Sequence, residues 1–339
     1  MTAEPQEKAG PQGVENRTVS PDEGEVRLDR WFKRHYPGLT FGRLAKLART
    51  GQIRVDGKRT KPQQRVEPGQ TIRIPPLPAD SAEDADESGA ALSEADQQAA
   101  EALRERVLFR DDWVIALDKP AGLATQGGSR LTRHLDAMLD ALRFDAAERP
   151  RLVHRLDKDT SGVLLLGRSA RATDALGRAF RDKTADKVYW ALTVGVPRPR
   201  AGRIDMPLGK QKRGGEEKMA HDPDGRTAIT DYRTIASWKS RVAWLALSPL
   251  TGRTHQLRAH LAALGTPILG DGKYGGKEAF PPGVKVEQLC LHARELGLPH
   301  PQDQTTLRVT APLPEHMRAI FETLGFDSRH GEGIHPTPN

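Results

Sequence analysis

Apolar and polar residues alternate with different periods along the chain, and the changes of period divide it into segments. Within residues 25–76, apolar residues recur at helical spacing twice, first around Trp31 and then around Leu47. A short alternating segment around Ile53 follows, and Asp56 with the next glycine is typical of a hairpin turn. The pattern predicts two short helices and a small sheet, a compact α/β module.

A longer segment, residues 105–325, shows strand and helix patterns in alternation. Apolar residues at helical spacing predict one helix around Ala172–Phe180 and another near His255–Leu264. Strands outnumber helices, so we expect an α+β domain with a central mixed or antiparallel sheet flanked by helices. The predicted strands are Val114–Leu117, Val163–Leu166, Val188–Val194 and Val242–Leu247.

Three segments lack such periods and are expected to be unstructured. Residues 1–24 are polar and predicted to be disordered, residues 77–104 form an acidic linker with some helical tendency, and residues 326–339 form a flexible tail. No run of apolar residues is nearly as long as the about 20 residues that a membrane-spanning helix needs. The first residues lack the apolar core of a secretory signal, so we expect a cytoplasmic protein.

Charge is concentrated in the small module. The chain carries a net charge of +7, yet residues 25–75 hold 13 Lys and Arg against 4 Asp and Glu, and residues 80–101 hold eight acids and no base. Such a basic segment is typical of a protein that binds a phosphate backbone, although a solvated basic surface is an equal alternative on charge alone. The expected RNA contacts of the module are Arg30, Arg34, Arg43, Lys46, Arg54 and Lys58.

Cysteine and histidine usage argues against a metal or redox centre. The single cysteine, Cys290, excludes an internal disulfide and a cysteine-based zinc cluster, and its leucine neighbours predict a buried small hydrophobe. His255 and His260 are five residues apart and do not share a helix face well. We therefore expect no metal and no cofactor.

The most informative stretch is HRLDKDTSG, residues 154–162, directly before the predicted strand at Val163. It puts a carboxylate in a polar turn that leads into a buried strand, with an arginine nearby. An ionised, partly dehydrated carboxylate is a competent nucleophile or base. The alternative, favoured by local composition alone, is a turn in which Asp157 and Asp159 cap the backbone.

The same stretch resembles the signature of the RluA-type pseudouridine synthases, and further segments match motifs of that family in its order. One such match would be a weak signal, whereas four ordered matches are specific, and the likeness covers residues 107–324. The resemblance implies the pseudouridine synthase fold and a cofactor-free, monomeric enzyme that isomerises uridine in RNA. The three further ordered matches are Asp118–Leu123, Lys187–Ala191 and Thr251–His260 followed by Pro267–Gly275, and Leu291–Ala293 also fits.

The resemblance also implies roles for individual side chains. Asp157 is the catalytic carboxylate, which attacks the sugar, attacks the base or removes a ribose proton. Arg258 pairs with Asp157 and keeps it ionised, and Tyr189 stacks on an extruded uracil. Arg155 fills the space left by the base or contacts its phosphate. The residues expected to contact phosphates or support loops are Lys119, Arg253 and Lys273.

The basic module resembles the RNA-binding domain first seen in ribosomal protein S-four, on Arg27–Arg30, Gly51–Lys58 and Val66–Gln70. Together with the Gly-Gly-Ser turn at Gly127, this favours the family branch that acts on large-subunit rRNA. Gln126 departs from that branch, which often has histidine there. The expected target is therefore large-subunit rRNA, with transfer RNA or another RNA as alternatives.

Two other classes of protein remain as alternatives. A non-catalytic RNA-binding or ribosome assembly factor would share the fold. Asp157-Lys158-Asp159 also resembles the paired aspartates of magnesium-dependent phosphohydrolases. In those enzymes an apolar strand directly precedes the first aspartate and an acidic cluster follows later, whereas here charged residues interrupt the preceding strand and the later cluster is lacking in the sequence.

Overall fold

The computed structural model describes residues 13–23, 25–36, 38–39, 41–77, 94–127, 133–213 and 216–336. They belong to two compact units. The N-terminal unit ends at Ala91 and the C-terminal unit begins at Leu92. Among these residues, no helix is long and apolar enough to span a bilayer.

The N-terminal unit is a small α/β module, as the sequence pattern predicts. Its sheets have the order β1-β6-β3-β4 and β2-β5, and its two helices are α1 and α2. Apolar side chains of α1, Leu28, Trp31 and Phe32, are buried against Ile72 and Ile74. The elements are β1 Glu15–Thr18, β2 Val26–Arg27, α1 Leu28–His35, α2 Phe41–Arg49, β3 Arg54–Val55, β4 Lys58–Arg59, β5 Arg65–Val66 and β6 Thr71–Ile74.

This unit begins earlier than expected, which corrects part of the disorder predicted for residues 1–24. Strand β1 pairs antiparallel with β6, Glu15 opposite Ile74 and Thr18 opposite Thr71. Its side chains are polar, so the strand is held by backbone hydrogen bonds rather than by apolar packing. The sequence therefore shows no alternation of apolar and polar residues from which the strand could be predicted. Residues 1–12 and 24 lie outside the described part.

The C-terminal unit is an α+β domain, and the predicted class is confirmed. Its main sheet has ten strands along the path β12-β15-β16-β11-β17-β10-β8-β7, with β18 beside β17 and β9 beside β10. β10 and β17 pair in parallel and the other pairs are antiparallel, so the sheet is mixed. Strands β13 and β14 form a separate hairpin.

The bounds of these elements match the predicted strands and helices closely where a prediction was made. The strands are β7 Val107–Arg110, β8 Val114–Lys119, β9 Arg151–Leu152, β10 Ser161–Gly167, β11 Asp186–Val194, β12 Ala201–Asp205, β13 Leu208–Arg213, β14 Glu216–His221, β15 Ile229–Trp238, β16 Val242–Pro249, β17 Leu291–Pro299 and β18 Thr306–Thr310. The helices are α3 Glu94–Ala102, α4 Ala170–Arg181, α5 Gln256–Ala263 and α6 Glu315–Leu324.

The central strands are covered on both faces, which explains their uninterrupted apolar runs. In β10, Val163 and Leu165 face Leu176 of α4, whereas Leu164 and Leu166 face a cluster around Leu139 on the other side. Cys290, which leads into β17, is wholly buried as predicted, and burial raises the pKa of its thiol to about 12.

Two segments expected to be unstructured are folded in part. At the end of the predicted linker, Ala100 and Leu103 are buried with the segment around Leu139; residues 78–93 lie outside the described part. In the predicted tail, Gly331 lies against Trp244, where a Cβ would come within 2.4 Å of the ring. Gly331 can lie this close to the ring because it has no side chain. The Gly/His/Pro-rich composition of this segment does not predict the contact.

The parallel pair at the centre of the sheet fixes the start of β10, just after the HRLDKDTSG turn. Ser161 lies opposite His292 and Gly162 opposite Ala293. Gly162 has φ +108°, and a Cβ there would lie 2.2 Å from the carbonyl oxygen of Ala293. Both the backbone conformation and the close approach of β17 require glycine.

We expect Gly162→Ala to lower the free energy of unfolding by about 3–5 kcal/mol, because strain and a backbone clash add. Gly265→Ala is the matched control, since Gly265 has φ +77° with nothing within 4 Å of a Cβ. It should cost only about 1–2 kcal/mol. Urea titrations measure both, and equal losses would contradict the role given to the β17 contact.

Candidate active site

A cavity of about 550 Å³ in the C-terminal unit gathers most of the side chains that the sequence singled out. Asp157, Tyr189, Arg155, Arg253 and Arg258 all line it. They come from the turn before β10, from β11, from the turn after β16 and from the first turn of α5. Segments nearly 100 residues apart therefore meet at one site.

Backbone contacts hold the turn that carries Asp157. The Thr125 hydroxyl donates to the Leu156 carbonyl at 2.6 Å and accepts the Leu156 N–H at 3.2 Å. On the other side of Asp157, the Gly122 N–H donates to the Lys158 carbonyl at 2.9 Å. The carboxylate thus projects from a turn fixed at both ends.

Lys119 supports this turn, and its contacts favour loop support over phosphate contact, the two roles expected for it. Its ammonium is wholly buried and donates to the carbonyls of Pro120 at 2.8 Å, Leu123 at 2.7 Å and Lys158 at 3.1 Å. Burial lowers the pKa of Lys119 to about 8, although Asp159 and Asp157 oppose this effect. Every proton of the ammonium has an acceptor inside the protein, so Lys119 is a loop support.

Arg258 pairs with Asp271 rather than with Asp157, which is a second correction. Its Nε and Nη2 donate to the two Asp271 carboxylate oxygens at 2.8 and 2.7 Å. Burial opposes the charge of Arg258, but these bonds raise its pKa, and Asp157 adds a smaller attraction across the cavity. The planar guanidinium matches one carboxylate in a bidentate pair, and Asp271 offers that geometry.

His255 lies closest to Asp157 among the described cationic groups, with Nε2 4.0 Å from a carboxylate oxygen. Its backbone is left-handed, with φ +53° at the start of α5. Burial lowers its pKa, Asp157 opposes this, and Arg258 and Lys273 reinforce it. His255 stands in the matched Thr251–His260 segment three residues before Arg258, and this spacing is the sequence signal for its place beside the site.

A hydrogen-bond chain sets the tautomer of His255. The Tyr274 hydroxyl accepts the Met219 N–H at 3.1 Å and lies 2.9 Å from His255 Nδ1. Among the described groups, that nitrogen is the acceptor available for the hydroxyl proton. If the Tyr274 hydroxyl donates this bond, the neutral imidazole carries its proton on Nε2, which faces Asp157.

The turn between β16 and α5 is held by a buried glutamine. Gln256 Oε1 accepts from the Thr251 hydroxyl at 2.7 Å and from the Arg253 N–H at 3.0 Å, and Nε2 donates to the Ile229 carbonyl at 2.9 Å. The guanidinium of Arg253 donates to the Thr227 carbonyl at 2.9 Å. These bonds attach the turn to β15 and place His255 beside the cavity.

Tyr189 and Arg155 both line the cavity, but in different settings. Burial raises the pKa of Tyr189, and Asp157 adds to the effect, so the ring is a neutral phenol. The Arg155 guanidinium is exposed and makes no hydrogen bond or ion pair with any other described residue. An aromatic ring beside a free guanidinium is a combination that binds nucleotide bases and phosphates.

The described residues contain one group with metal-ligand spacing, Asp186, Glu295 and His335. Arg308 pairs with both carboxylates, and the group lies on the opposite face of β11 from Tyr189. His260 is buried and bonded to Thr230 and Met206. Neither place supplies chemistry to the cavity.

The basic residues of the N-terminal unit divide into exposed and engaged ones. Arg54 donates to the carbonyls of Gly51 at 3.0 Å and Gly57 at 3.1 Å, so it holds its own hairpin. Arg43 is partly buried. Of the six predicted RNA contacts, those that are exposed are Arg30, Arg34, Lys46 and Lys58, and Arg34 also lies 3.9 Å from Glu23.

Comparison with known proteins identifies the class. A family model described as RNA pseudouridylate synthase matches residues 113–263, which include Asp157, Tyr189 and Arg258. With the full-length relatives below, this shows that the chain belongs to that family, and the resemblance seen in the sequence is confirmed. The protein is a pseudouridine synthase, an isomerase that acts on RNA.

Individual relatives extend the match to both units. The chain is 38% identical to ribosomal large subunit pseudouridine synthase C of Rickettsia prowazekii, over 85% of this chain and 94% of the relative. It is 33% identical to the protein of that name from Escherichia coli, over 90% and 95%. A solved structure, human RNA pseudouridylate synthase domain containing 4, aligns with TM-score 0.57 and 30% identity, over 69% of this chain and 98% of that one.

A half-buried histidine at the cavity wall makes stability depend on pH. His154 Nε2 accepts the Leu165 N–H at 2.9 Å and its ring stacks on Phe180. Burial lowers the pKa of His154 from 6.5 to about 3, with a smaller contribution from Lys187. A lowered pKa means that the unfolded chain takes up a proton first. The stabilisation is therefore complete above pH 6.5 and is lost as the pH falls towards 3.

We expect His154→Gln, which keeps an acceptor for Leu165, to reduce this acid sensitivity. One proton bound only by the unfolded state costs about 1.4 kcal/mol per pH unit. Between pH 7 and pH 5 the wild type should lose about 2 kcal/mol more unfolding free energy than the variant. Urea titrations at both pH values measure it, with the exposed His221→Gln as control; parallel losses in all three proteins would contradict the burial argument.

Proposed function

We propose that this enzyme converts uridine to pseudouridine in large-subunit rRNA, with Asp157 as the catalytic carboxylate. The observation that carries the proposal is the cavity in which this carboxylate meets the Tyr189 ring and the imidazole of His255. Relatives named for the large ribosomal subunit align over 85% and 90% of the chain, and such coverage has to include part of the N-terminal unit.

The geometry supports a reaction on a nucleotide taken out of its helix. A base inside a stack cannot reach a cavity of this kind, and extrusion costs a few kcal/mol. Stacking on an aromatic side chain stabilises the extruded base by about 1–3 kcal/mol, and we propose that Tyr189 provides this stacking. Arg155, exposed at the cavity, is proposed to fill the vacated space or to contact the phosphate.

The proposed chemistry needs no external reactant. The bond from N1 of uracil to C1′ of ribose breaks, the base turns, and a bond from C5 to C1′ forms. C5 loses a proton and N1 gains one, so there is no net oxidation. We therefore propose that no cofactor takes part, and that one chain suffices because a single cavity holds every side chain assigned to the reaction.

Asp157 can act in this scheme as a nucleophile or as a base, and its surroundings serve both. Nε2 of His255 lies 4.0 Å from the Asp157 carboxylate, and the charge of Arg258 lies across the same cavity. Distances in free active sites are often long and shorten when substrate binds, so the 4.0 Å gap to His255 fits a site without RNA.

The N-terminal unit is proposed to be the S-four-like RNA-binding domain that its sequence resembles. The exposed cations of α1 and α2, Arg30, Arg34 and Lys46, would contact the phosphate backbone. A second contact raises the effective concentration of RNA at the cavity, which suits a large structured target such as rRNA. Because rRNA is assembled into ribosomes in the cytoplasm, we propose that location for the enzyme.

Mapping pseudouridine in cellular RNA with and without the gene tests the target. We expect particular large-subunit rRNA positions to revert to uridine when the gene is deleted and to be restored by the wild-type gene. Loss of pseudouridine only from transfer RNA would overturn the proposed target while leaving the chemistry in place.

We expect Asp157→Asn to reduce turnover at least about 1000-fold while the dissociation constant for RNA stays within about twofold. Release of tritium from C5 of labelled uridine measures the reaction, since C5 loses that hydrogen. Asp159→Asn makes the same change in the same turn at an exposed side chain and should retain turnover. Comparable activity in the two variants would refute the assignment of Asp157.

We expect the triple variant Arg30→Gln, Arg34→Gln, Lys46→Gln to bind rRNA more weakly and with a smaller salt dependence. Each lost phosphate contact should lower the slope of log affinity against log salt by about 0.7–0.9. The triple variant Arg59→Gln, Lys61→Gln, Arg65→Gln removes the same charge from the exposed β4–β5 side of the unit. Equal slopes in the two triple variants would argue against docking through the helices.

A further inference from the structure

The cavity contains a cation that the reaction as described leaves unused, Lys187. Successive side chains of a strand point to opposite faces, so Lys187 and Tyr189 of β11 share a face. Both line the cavity of Asp157, whereas Val188 and Trp190 line a separate pocket on the other side of the sheet. Lys187 therefore lies one side-chain repeat from the ring proposed to hold the base.

Within the described residues, the ammonium of Lys187 has neither a hydrogen bond nor an ion pair. The carboxylate next to it in sequence, Asp186, pairs on the opposite face with Arg308 at 3.3 Å. Burial lowers the pKa of Lys187, with Asp186 opposing and Lys183 adding to the effect. A partly buried charge without a partner is unfavourable in the free protein, which indicates a partner supplied by a ligand.

The surroundings of Lys187 favour an anion. Arg181 and Lys183, at and just after the end of α4, line the same cavity. Asp157 is the single acidic residue among its described lining residues.

We propose that Lys187, with Arg181 and Lys183, forms a subsite for a backbone phosphate next to the extruded uridine. The inference rests on the proposed function, because it takes Tyr189 as the ring under the base. Two residues along a strand span about 6.6 Å, a distance that the sugar of one nucleotide bridges. The subsite would fix the flipped nucleotide from its phosphate while the ring fixes it from the base.

Lys187→Met tests the subsite because the methionine keeps the length of the side chain and removes its charge. We expect about 10-fold weaker binding of a synthetic RNA that carries the target segment of large-subunit rRNA. The slope of log affinity against log salt should fall by about 0.7–0.9. The melting temperature should stay level or rise, since an unpaired buried charge is removed; Lys187→Arg should retain binding.

Lys239→Met is the matched control for the loss of one positive charge. Lys239 lies in the turn before β16, whereas the far end of that strand, Pro249, lines the cavity. We expect its affinity and salt slope to equal those of the wild type. A drop in melting temperature for Lys187→Met that accounts for its weaker binding would instead assign Lys187 a structural role and overturn the subsite.

Neutral methylphosphonate linkages, placed one at a time around the target uridine, identify the phosphate. The wild type should lose about 10-fold affinity at one position next to that uridine. Lys187→Met should lose nothing further there and remain sensitive elsewhere. Equal losses in both proteins at every position would overturn the subsite alone, whereas an RNA that the wild type never converts would overturn the proposed target instead.

Discussion

The fixed position of one short turn is the constraint on which the site depends. Asp157 comes from a turn held by Thr125 on one side and by the Lys119 ammonium on the other, and the strand that follows is fixed against β17. A catalytic group displaced by about 1 Å can lose two orders of magnitude in rate. The buried sheet, the close approach at Gly162 and the three carbonyls around Lys119 all restrain that displacement.

The side chains around the Asp157 carboxylate are themselves held by a second set of residues behind them. Asp271 holds Arg258 through two bonds and also accepts the Tyr274 N–H at 3.1 Å, while the Tyr274 hydroxyl orients His255. Burying an arginine without an acidic partner would be unfavourable. Because Asp271 is that partner, Arg258 stays in place without forming an ion pair with Asp157. Among the described residues no side chain donates a hydrogen bond to the Asp157 carboxylate, so both of its oxygens are open to a substrate.

Local patterns revealed the elements with strong apolar periods and left out those without them. The strands around Ala116, Leu164 and Trp244 were predicted because both of their faces are buried. The strand β1 and the hairpin of β13 and β14 are polar and were not predicted. They are held by backbone pairing and by contacts with distant residues, which leave no period in the sequence.

The site shows the same division at the level of single residues. Family resemblance brought Asp157, Tyr189 and Arg258 together, and the cavity contains all three. It did not predict that Arg258 pairs with Asp271, because the choice between two acids within reach depends on side-chain geometry. Nor did it distinguish His255, whose tautomer depends on a backbone N–H from the β13–β14 hairpin.

Two lysines in family motifs, Lys119 and Lys187, illustrate why sequence position alone does not assign a role. Burial lowers the pKa of both. Lys119 has three backbone acceptors and therefore stabilises the fold, whereas Lys187 has none among the described groups and weakens it. An unpaired charge that is unfavourable in the free enzyme can be offset when a bound RNA supplies the opposite charge. The missing partner of Lys187, rather than its charge, is thus the reason to assign it to the RNA.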